Sequence, residues 1–202
     1  LLRVPRPRRA GAAVSGADDP GPAKRAAREA AYARRKAAHA AQAEAAAAAL
    51  AAHLAGTEGR VVSGYLPIRT EADPLPAMER LAASNTLCVP VIAGKRRPLV
   101  FREWRPGCRL VEGPFGVMVP EAGAWCTPDL LIVPMLAFDA RLYRLGYGGG
   151  FYDRTLEKLR ASGPVEALGF AYAAQEAESL PLEPTDQPLD ALVTERGLRS
   201  AA

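Results

Sequence analysis

The 202-residue sequence predicts a three-layer α/β/α domain built on a mainly parallel sheet. Three observations carry that expectation. A long Ala-rich segment, Ala23–Leu54, is followed by alternating strand-sized and helix-sized segments. Leu130–Val133 is a short continuous apolar run, as a strand buried on both faces would be. A glycine-rich stretch, Arg144–Asp153, stands between that run and a helical segment.

Residues 1–22 are rich in Arg, Pro, Gly and Ala without periodicity, and read as a disordered basic extension. Pro20 and Pro22 bar an earlier helix start, the Ala-rich run has high helix propensity, and Gly56 and Gly59 stop it. Val61–Leu66 then reads as a strand, Leu75–Ala83 as a helix and Leu87–Ile92 as a strand. Leu99–Trp104 is a further strand, bounded by Pro98 and the turn Pro106-Gly107. Phe151–Ala161 is helical, Ala167–Tyr172 a strand and Ala191–Val193 a last short strand. The expected organisation is one domain over 23–195, with 196–202 a tail and no internal repeat.

Composition narrows the function classes. No apolar run approaches the roughly 20 residues of a membrane helix. The net charge of +4 is mild, and much of the excess lies in Arg3–Arg9 and Lys24–Lys36. That balance does not choose among nucleic acid, anionic membrane and a polyanionic small molecule. The two Trp residues stand apart from the basic runs, so there is no aromatic–basic interleaving of the single-strand-binding kind, and a nucleic-acid partner is not the favoured expectation. Cys88, Cys108 and Cys126 form neither a disulfide framework nor a metal knuckle, and free thiols fit a reducing cytoplasm. The basic opening segment lacks the apolar core of a secretory signal, and the sequence opens on Leu rather than Met, which leaves its true start open.

Arg144-Leu-Gly-Tyr-Gly-Gly-Gly-Phe-Tyr-Asp153 carries the most chemistry. Gly146, Gly148, Gly149 and Gly150 allow a backbone that takes positive φ and approaches a ligand closely. Its amides, continued by the free N–H groups of the next helix, form a cradle for phosphate oxygens. The spacing is neither Gly-x-Gly-x-x-Gly nor a P-loop, because Phe151 stands where the former needs glycine and no Gly-Lys-Ser/Thr follows. Arg144 can add a charge-assisted bond to the same anion. Asp153 is a candidate Mg²⁺ ligand, or else a first-turn acid that suits the helix dipole. The alternative for the whole loop is a tight turn packed on the sheet. On the first helix, an advance of about 100° per residue brings Lys24, Arg28, Arg35 and His39 within an arc of roughly 60°. That stripe is either a lid of cations over a triphosphate or a solvated face. Arg25, Arg34 and Lys36 point elsewhere.

The same loop, preceded by Leu-Ile-Val-Pro and Ala-Phe-Asp, resembles the signature of 5-formyltetrahydrofolate cyclo-ligases. The similarity runs from about Ala23 to Glu195. It includes Gly64-Tyr-Leu-Pro with Glu71 downstream, Pro98-Leu-Val-Phe-Arg-Glu-Trp104, Glu112-Gly-Pro-Phe-Gly116 and Asp186-Gln-Pro-Leu-Asp190. The resemblance implies a fold of the NagB/RpiA/CoA transferase-like kind. It implies ATP- and Mg²⁺-dependent cyclisation of 5-formyltetrahydrofolate to 5,10-methenyltetrahydrofolate, with release of ADP and phosphate, by a cytoplasmic monomer. It assigns ATP contacts to Lys24, Arg25, Ala26, Ala27 and Arg28, and to Arg144, Leu145, Gly146, Tyr147, Gly148, Gly149, Gly150, Phe151 and Tyr152. Lys24, Arg28 and Arg144 become the catalytic cations, and Asp153 and Asp190 the Mg²⁺ ligands. Leu66 and Glu71, with Tyr147, Gly148, Gly149 and Gly150, become substrate contacts. Some members carry Lys or Arg where this chain has Tyr147 and Gly149, so one phosphate-neutralising cation is either absent or supplied by Arg144 or the first helix. The alternatives are a folate- or nucleotide-binding member without efficient catalysis, and a non-catalytic phosphate-ligand or RNA-associated module using the basic helix and arm.

Overall fold

The Ala-rich segment folds as one long helix, α1 (Pro22–His53). Pro22 is its first residue rather than a barrier before it, since a first-turn N–H has no helical partner and proline lacks one anyway. The computed structural model describes residues 22–200, the first three (22–24) as helix backbone only. The basic extension and the Lys24 side chain therefore lie outside the described residues.

Behind α1 come β1 (Val61–Ser63), α2 (Leu75–Leu81), β2 (Thr86–Val91) and β3 (Val100–Glu103). There follow β4 (Leu110–Glu112), β5 (Met118–Pro120), β6 (Trp125–Cys126), β7 (Leu130–Val133), β8 (Ala137–Phe138) and β9 (Arg144–Leu145). The chain ends with α3 (Phe151–Ser162), β10 (Glu166–Phe170), β11 (Ala191–Thr194) and β12 (Gly197–Ser200). Eight strands form the main sheet in the order β12-β11-β10-β7-β1-β2-β3-β6. The five from β11 to β2 are parallel, and β12, β3 and β6 run antiparallel at the two edges. Gly197–Ser200, expected as tail, thus pairs with β11 as an edge strand. The hairpins β4/β5 and β8/β9 stand apart as two-stranded sheets.

Alternation along the strands sorts the core onto two faces, as a period of two requires. Val62, Leu87, Val89, Leu130, Ile132 and Leu168 pack under Ala46 and Leu50 of α1 and Ala77 and Met78 of α2. Cys88, Leu131, Val133, Ala167 and Leu192 pack on the other face against Leu156 and Leu159 of α3. The sheet is therefore sandwiched between helices, as expected. The loop after β1 runs so close to α2 that a Cβ on Gly64 would stand 2.1 Å from Met78 Sδ.

The chain leaves β1 for β2 in one direction and later returns to place β7 on the opposite side of β1. Such a reversal opens a crevice outside the carboxyl ends of the strands, where open α/β sheets bind ligands. At the amino ends, Arg60 joins three strands. Its Nε donates to Asp129 Oδ1 at 2.6 Å, NH2 to the Asp129 carbonyl at 2.9 Å and NH1 to Glu166 Oε2 at 2.7 Å.

Candidate active site

The crevice is built from three segments: the loop after β1, the glycine loop after β9, and the inner face of α1. In the first, Glu71 is buried, with 4% of its surface exposed. A turn at Arg69, whose φ is 59°, brings the Ile68 amide to Glu71 Oε2 at 2.8 Å. In the second, Gly148 (φ 101°) and Gly150 (φ 57°) take the left-handed backbone open to glycine, while Gly146 and Gly149 do not. Gly150 caps α3 with no side chain of its own, so the helix offers its first-turn amides at the loop.

Tyr147 joins the two loops. Its hydroxyl donates to Glu71 Oε1 and accepts from Arg35 NH1 at 2.5 Å. Arg35 is 1% exposed; its Nε donates to Thr70 Oγ1 at 3.1 Å, and NH1 lies 3.9 Å from Glu71 Oε1. Its remaining nitrogen, NH2, is buried without a partner among the described residues. The guanidinium carbon also sits 5.6 Å and 5.5 Å from the ring centres of Tyr32 and Tyr147. Burial pushes the Glu71 carboxyl above its ordinary range, opposed by Tyr147, the Ile68 amide and Arg35. Burial and then the Glu71 charge lift the Tyr147 hydroxyl well above the usual phenol range.

The cationic stripe of α1 faces this crevice. Arg28 donates through Nε to the Gly146 carbonyl at 3.0 Å, and burial lowers its pKa from the usual arginine value. Arg35 lies two turns further along, and His39 Nδ1 meets Tyr172 Oη at 3.0 Å. Burial pushes the Tyr172 hydroxyl up to about 12. Tyr32 shares this face and was missed in the sequence, although the same helical arithmetic selects it. Arg25 and Ala26 are exposed, while Ala27 packs with Leu145 in a small apolar cluster. Leu66 is half-buried against the α1 side of the core.

Arg144 points inward. NH2 donates to Asp153 Oδ1 at 2.7 Å and NH1 to the Gln187 carbonyl at 2.5 Å, and the Gln187 amide closes the triangle on Asp153 Oδ1 at 3.0 Å. Burial lowers the guanidinium pKa, with Asp153 opposing. The Tyr152 hydroxyl is buried without a partner among the described residues, and the Phe151 ring packs where a Cβ on Gly149 would stand. Asp190 lies apart from this group. It precedes β11, so it stands at the amino end of the sheet, where Oδ2 accepts from Arg160 NH2 at 2.9 Å and the Ala167 amide at 2.7 Å. Seven helical residues, about 10 Å of rise, separate Asp153 from Arg160.

Among the described residues no three His, Cys, Asp or Glu side chains converge as a metal site. Magnesium needs less than that, since it keeps several waters and takes one or two carboxylates together with phosphate oxygens. Asp153 fits the role. Both donors that reach it use Oδ1, and it opens the helix that follows the glycine loop. Asp190 is held by Arg160 and the Ala167 amide at the other end of α3, so the structure does not bring it together with Asp153. Covalent catalysis by Cys88 is disfavoured, because its thiol is buried and its pKa is pushed up by that burial. A cavity of about 490 Å³ between β3, β6 and α3, lined by Phe101, Trp125 and Leu159, includes none of these residues.

Comparison with known proteins agrees with this geometry. The sequence profile of the 5-formyltetrahydrofolate cyclo-ligase family matches residues 20–195. The 5-formyltetrahydrofolate cyclo-ligase of Escherichia coli K12 is 35% identical over 143 residues, which is 66% of this chain and 76% of that protein. The same enzyme of Mycolicibacterium smegmatis is 32% identical over 151 residues, or 69% of this chain and 76% of that protein. The solution structure of the Aquifex aeolicus 5,10-methenyltetrahydrofolate synthetase superposes with a TM-score of 0.71 at 28% identity, covering 88% of this chain and 92% of that one. The Mycoplasma pneumoniae synthetase shares the fold at 19% identity, with a TM-score of 0.62 over 85% of this chain and 98% of that one. The chain belongs to the 5-formyltetrahydrofolate cyclo-ligase family.

Proposed function

We propose that this chain converts 5-formyltetrahydrofolate and ATP to 5,10-methenyltetrahydrofolate, ADP and phosphate. The observation that carries the reading is Tyr147, which ties a glycine loop suited to phosphate to a buried carboxylate, Glu71, beneath the arginines of α1. A pterin presents a row of amide-like donors, which a buried carboxylate accepts, and Leu66 offers an apolar wall nearby.

The formamide carbonyl is a poor electrophile and its oxygen a poor leaving group. The formyl oxygen attacks the γ-phosphorus, the bond to the β-phosphate oxygen breaks, and ADP leaves. The carbon is now an iminium phosphate. N10 of the same substrate attacks it, phosphate departs with the C–O electron pair, and the N10 proton passes to water. No enzyme nucleophile is required. The chain's contribution is position and charge, as in other phosphoryl transfers. Lys24 and Arg28 would hold the triphosphate over the loop amides, and Arg144 serves it by fixing Asp153. Asp153 would hold Mg²⁺, and the ion would supply charge neutralisation between phosphate groups; Asp190, the second ligand that the resemblance implies, would have to leave both Arg160 and the Ala167 amide and cross toward the start of α3 to share it.

We further assign the fold to the NagB/RpiA/CoA transferase-like group, the catalytic unit to 23–195, and the protein to the cytoplasm as a monomer without a nucleic-acid partner. No described helix is long and apolar enough to cross a membrane. Incubation with 5-formyltetrahydrofolate, Mg²⁺ and ATP, followed through the methenyl chromophore, tests the activity. An ATP-dependent rise is expected, and its absence with folded protein sinks the reading.

A further inference from the structure

Tyr147 and Gly149 leave the glycine run without a cation of its own, and among the described residues four arginines touch the loop; Arg35 spends NH1 on the Tyr147 hydroxyl and Nε on Thr70. Arg144 is buried, with both terminal nitrogens engaged by Asp153 and the Gln187 carbonyl. It has little left to give an anion. Arg28 lies against the loop: Nε donates to the Gly146 carbonyl, and the terminal nitrogens lie 3.3 Å and 3.5 Å from where a Cβ on Gly148 would stand. Arg154 lies against it as well. Its NH2 donates to the Gly149 carbonyl, NH1 lies 2.9 Å from where a Cβ on Gly150 would stand, and Nε is buried without a partner among the described residues.

We propose that Arg154 is a phosphate-binding residue, the cation that the glycine run itself lacks, and that it contacts the triphosphate together with Arg28. The proposal rests on the assignment of ATP to this loop. Three physical points support it. Helical side chains lean back toward the amino end, so Arg154 projects over the same first turn whose amides are free. A cation at the start of a helix opposes the helix dipole, and an anion bound at that turn reverses the penalty. A guanidinium on a neutral carbonyl exchanges readily for a phosphate oxygen, because the charge-assisted bond is the stronger one. Both Arg28 and Arg154 hold such carbonyls, that of Gly146 just before the three-glycine run and that of Gly149 within it.

The test is titration of wild type, R154Q and R154K with ATP, ADP and adenosine, with thermal unfolding as the folding control. R154Q is expected to weaken ATP by roughly tenfold, the loss of one charge-assisted contact. ADP should weaken less and adenosine not at all, while R154K recovers most of the ATP affinity. A loop-propping role would instead lower all three alike. If wild type binds ATP and R154Q binds it within about twofold, or if adenosine weakens in parallel, the assignment of Arg154 is overturned alone. If wild type binds no ATP, the proposed function falls with it. Should R154Q fail to fold, R154M carries the same comparison.

Discussion

Tyr147→Phe isolates the contact between the two halves of the site. The substitution keeps the ring, which is 47% exposed, and removes only the hydroxyl between Glu71 Oε1 and Arg35 NH1. Both partners are buried, and each loses a charge-assisted bond. An unsatisfied buried charged group costs about 1–3 kcal/mol or more. Part of this is recovered, since Arg35 NH1 and Glu71 Oε1 already stand 3.9 Å apart and can close directly. A net loss of about 1–2 kcal/mol is expected, or about 2–8 °C in Tm for a chain of this size. The loss should also depend on pH. Burial holds the Glu71 carboxyl above its ordinary value, so its contribution to stability is present at low pH and is lost as pH rises through the folded value. Tyr147 opposes that rise by favouring the anion, and Phe removes the opposition. The deficit of the variant should therefore be larger at about pH 8 than at about pH 5. Differential scanning fluorimetry across that range measures it. An unchanged Tm, or a deficit flat with pH, would refute the coupling of Tyr147 to an ionised Glu71.

The carboxylates give a second comparison. Asp153→Asn keeps an acceptor for Arg144 and the Gln187 amide, so the fold should persist while turnover falls by roughly a hundredfold or more, the scale of a lost electrostatic partner to the transition state. Asp190→Asn should lower Tm through its loss to Arg160 and raise the Mg²⁺ requirement far less; near-normal rates for Asp153→Asn at saturating Mg²⁺ would defeat the metal assignment. Arg28→Ala should raise KM for ATP by roughly tenfold and leave KM for the folate near wild type, with Glu71→Gln doing the reverse. Steady-state kinetics in both substrates would expose any mixing of the two effects.

Much of the fold was legible because its signals are local. The Ala-rich run gave α1 to within one residue at each end, and Leu130–Val133 was β7 as read. Among the strands that escaped, β6, β8 and β9 are two residues long and contain no full period, and β4 and β5 are only three. β12 escaped because its pattern alternates half-exposed and exposed positions at an edge, without an apolar face. In the site, the glycine loop was legible because only its backbone geometry demands those residues, and the stripe on α1 because 100° per residue is a fixed rule. The direction of Arg144, inward to Asp153 rather than out to a ligand, depends on Gln187, 43 residues away. Tyr147 and Glu71 are 76 residues apart, and no local pattern links a loop tyrosine to a distant buried carboxylate.

The tie at Arg60 has a consequence at the far end of the molecule. One guanidinium grips the starts of β1, β7 and β10, and the Val61 amide adds a bond to Asp129 Oδ2 at 3.1 Å. Strands so fastened resist sliding past one another. The gap between the loop after β1 and the glycine loop therefore has a width set by the sheet, like the jaws of a vice welded at the back. Fit to folates with different tails, or to different nucleotides, must then come from side chains in the jaws, Tyr147 foremost, rather than from any change in the frame.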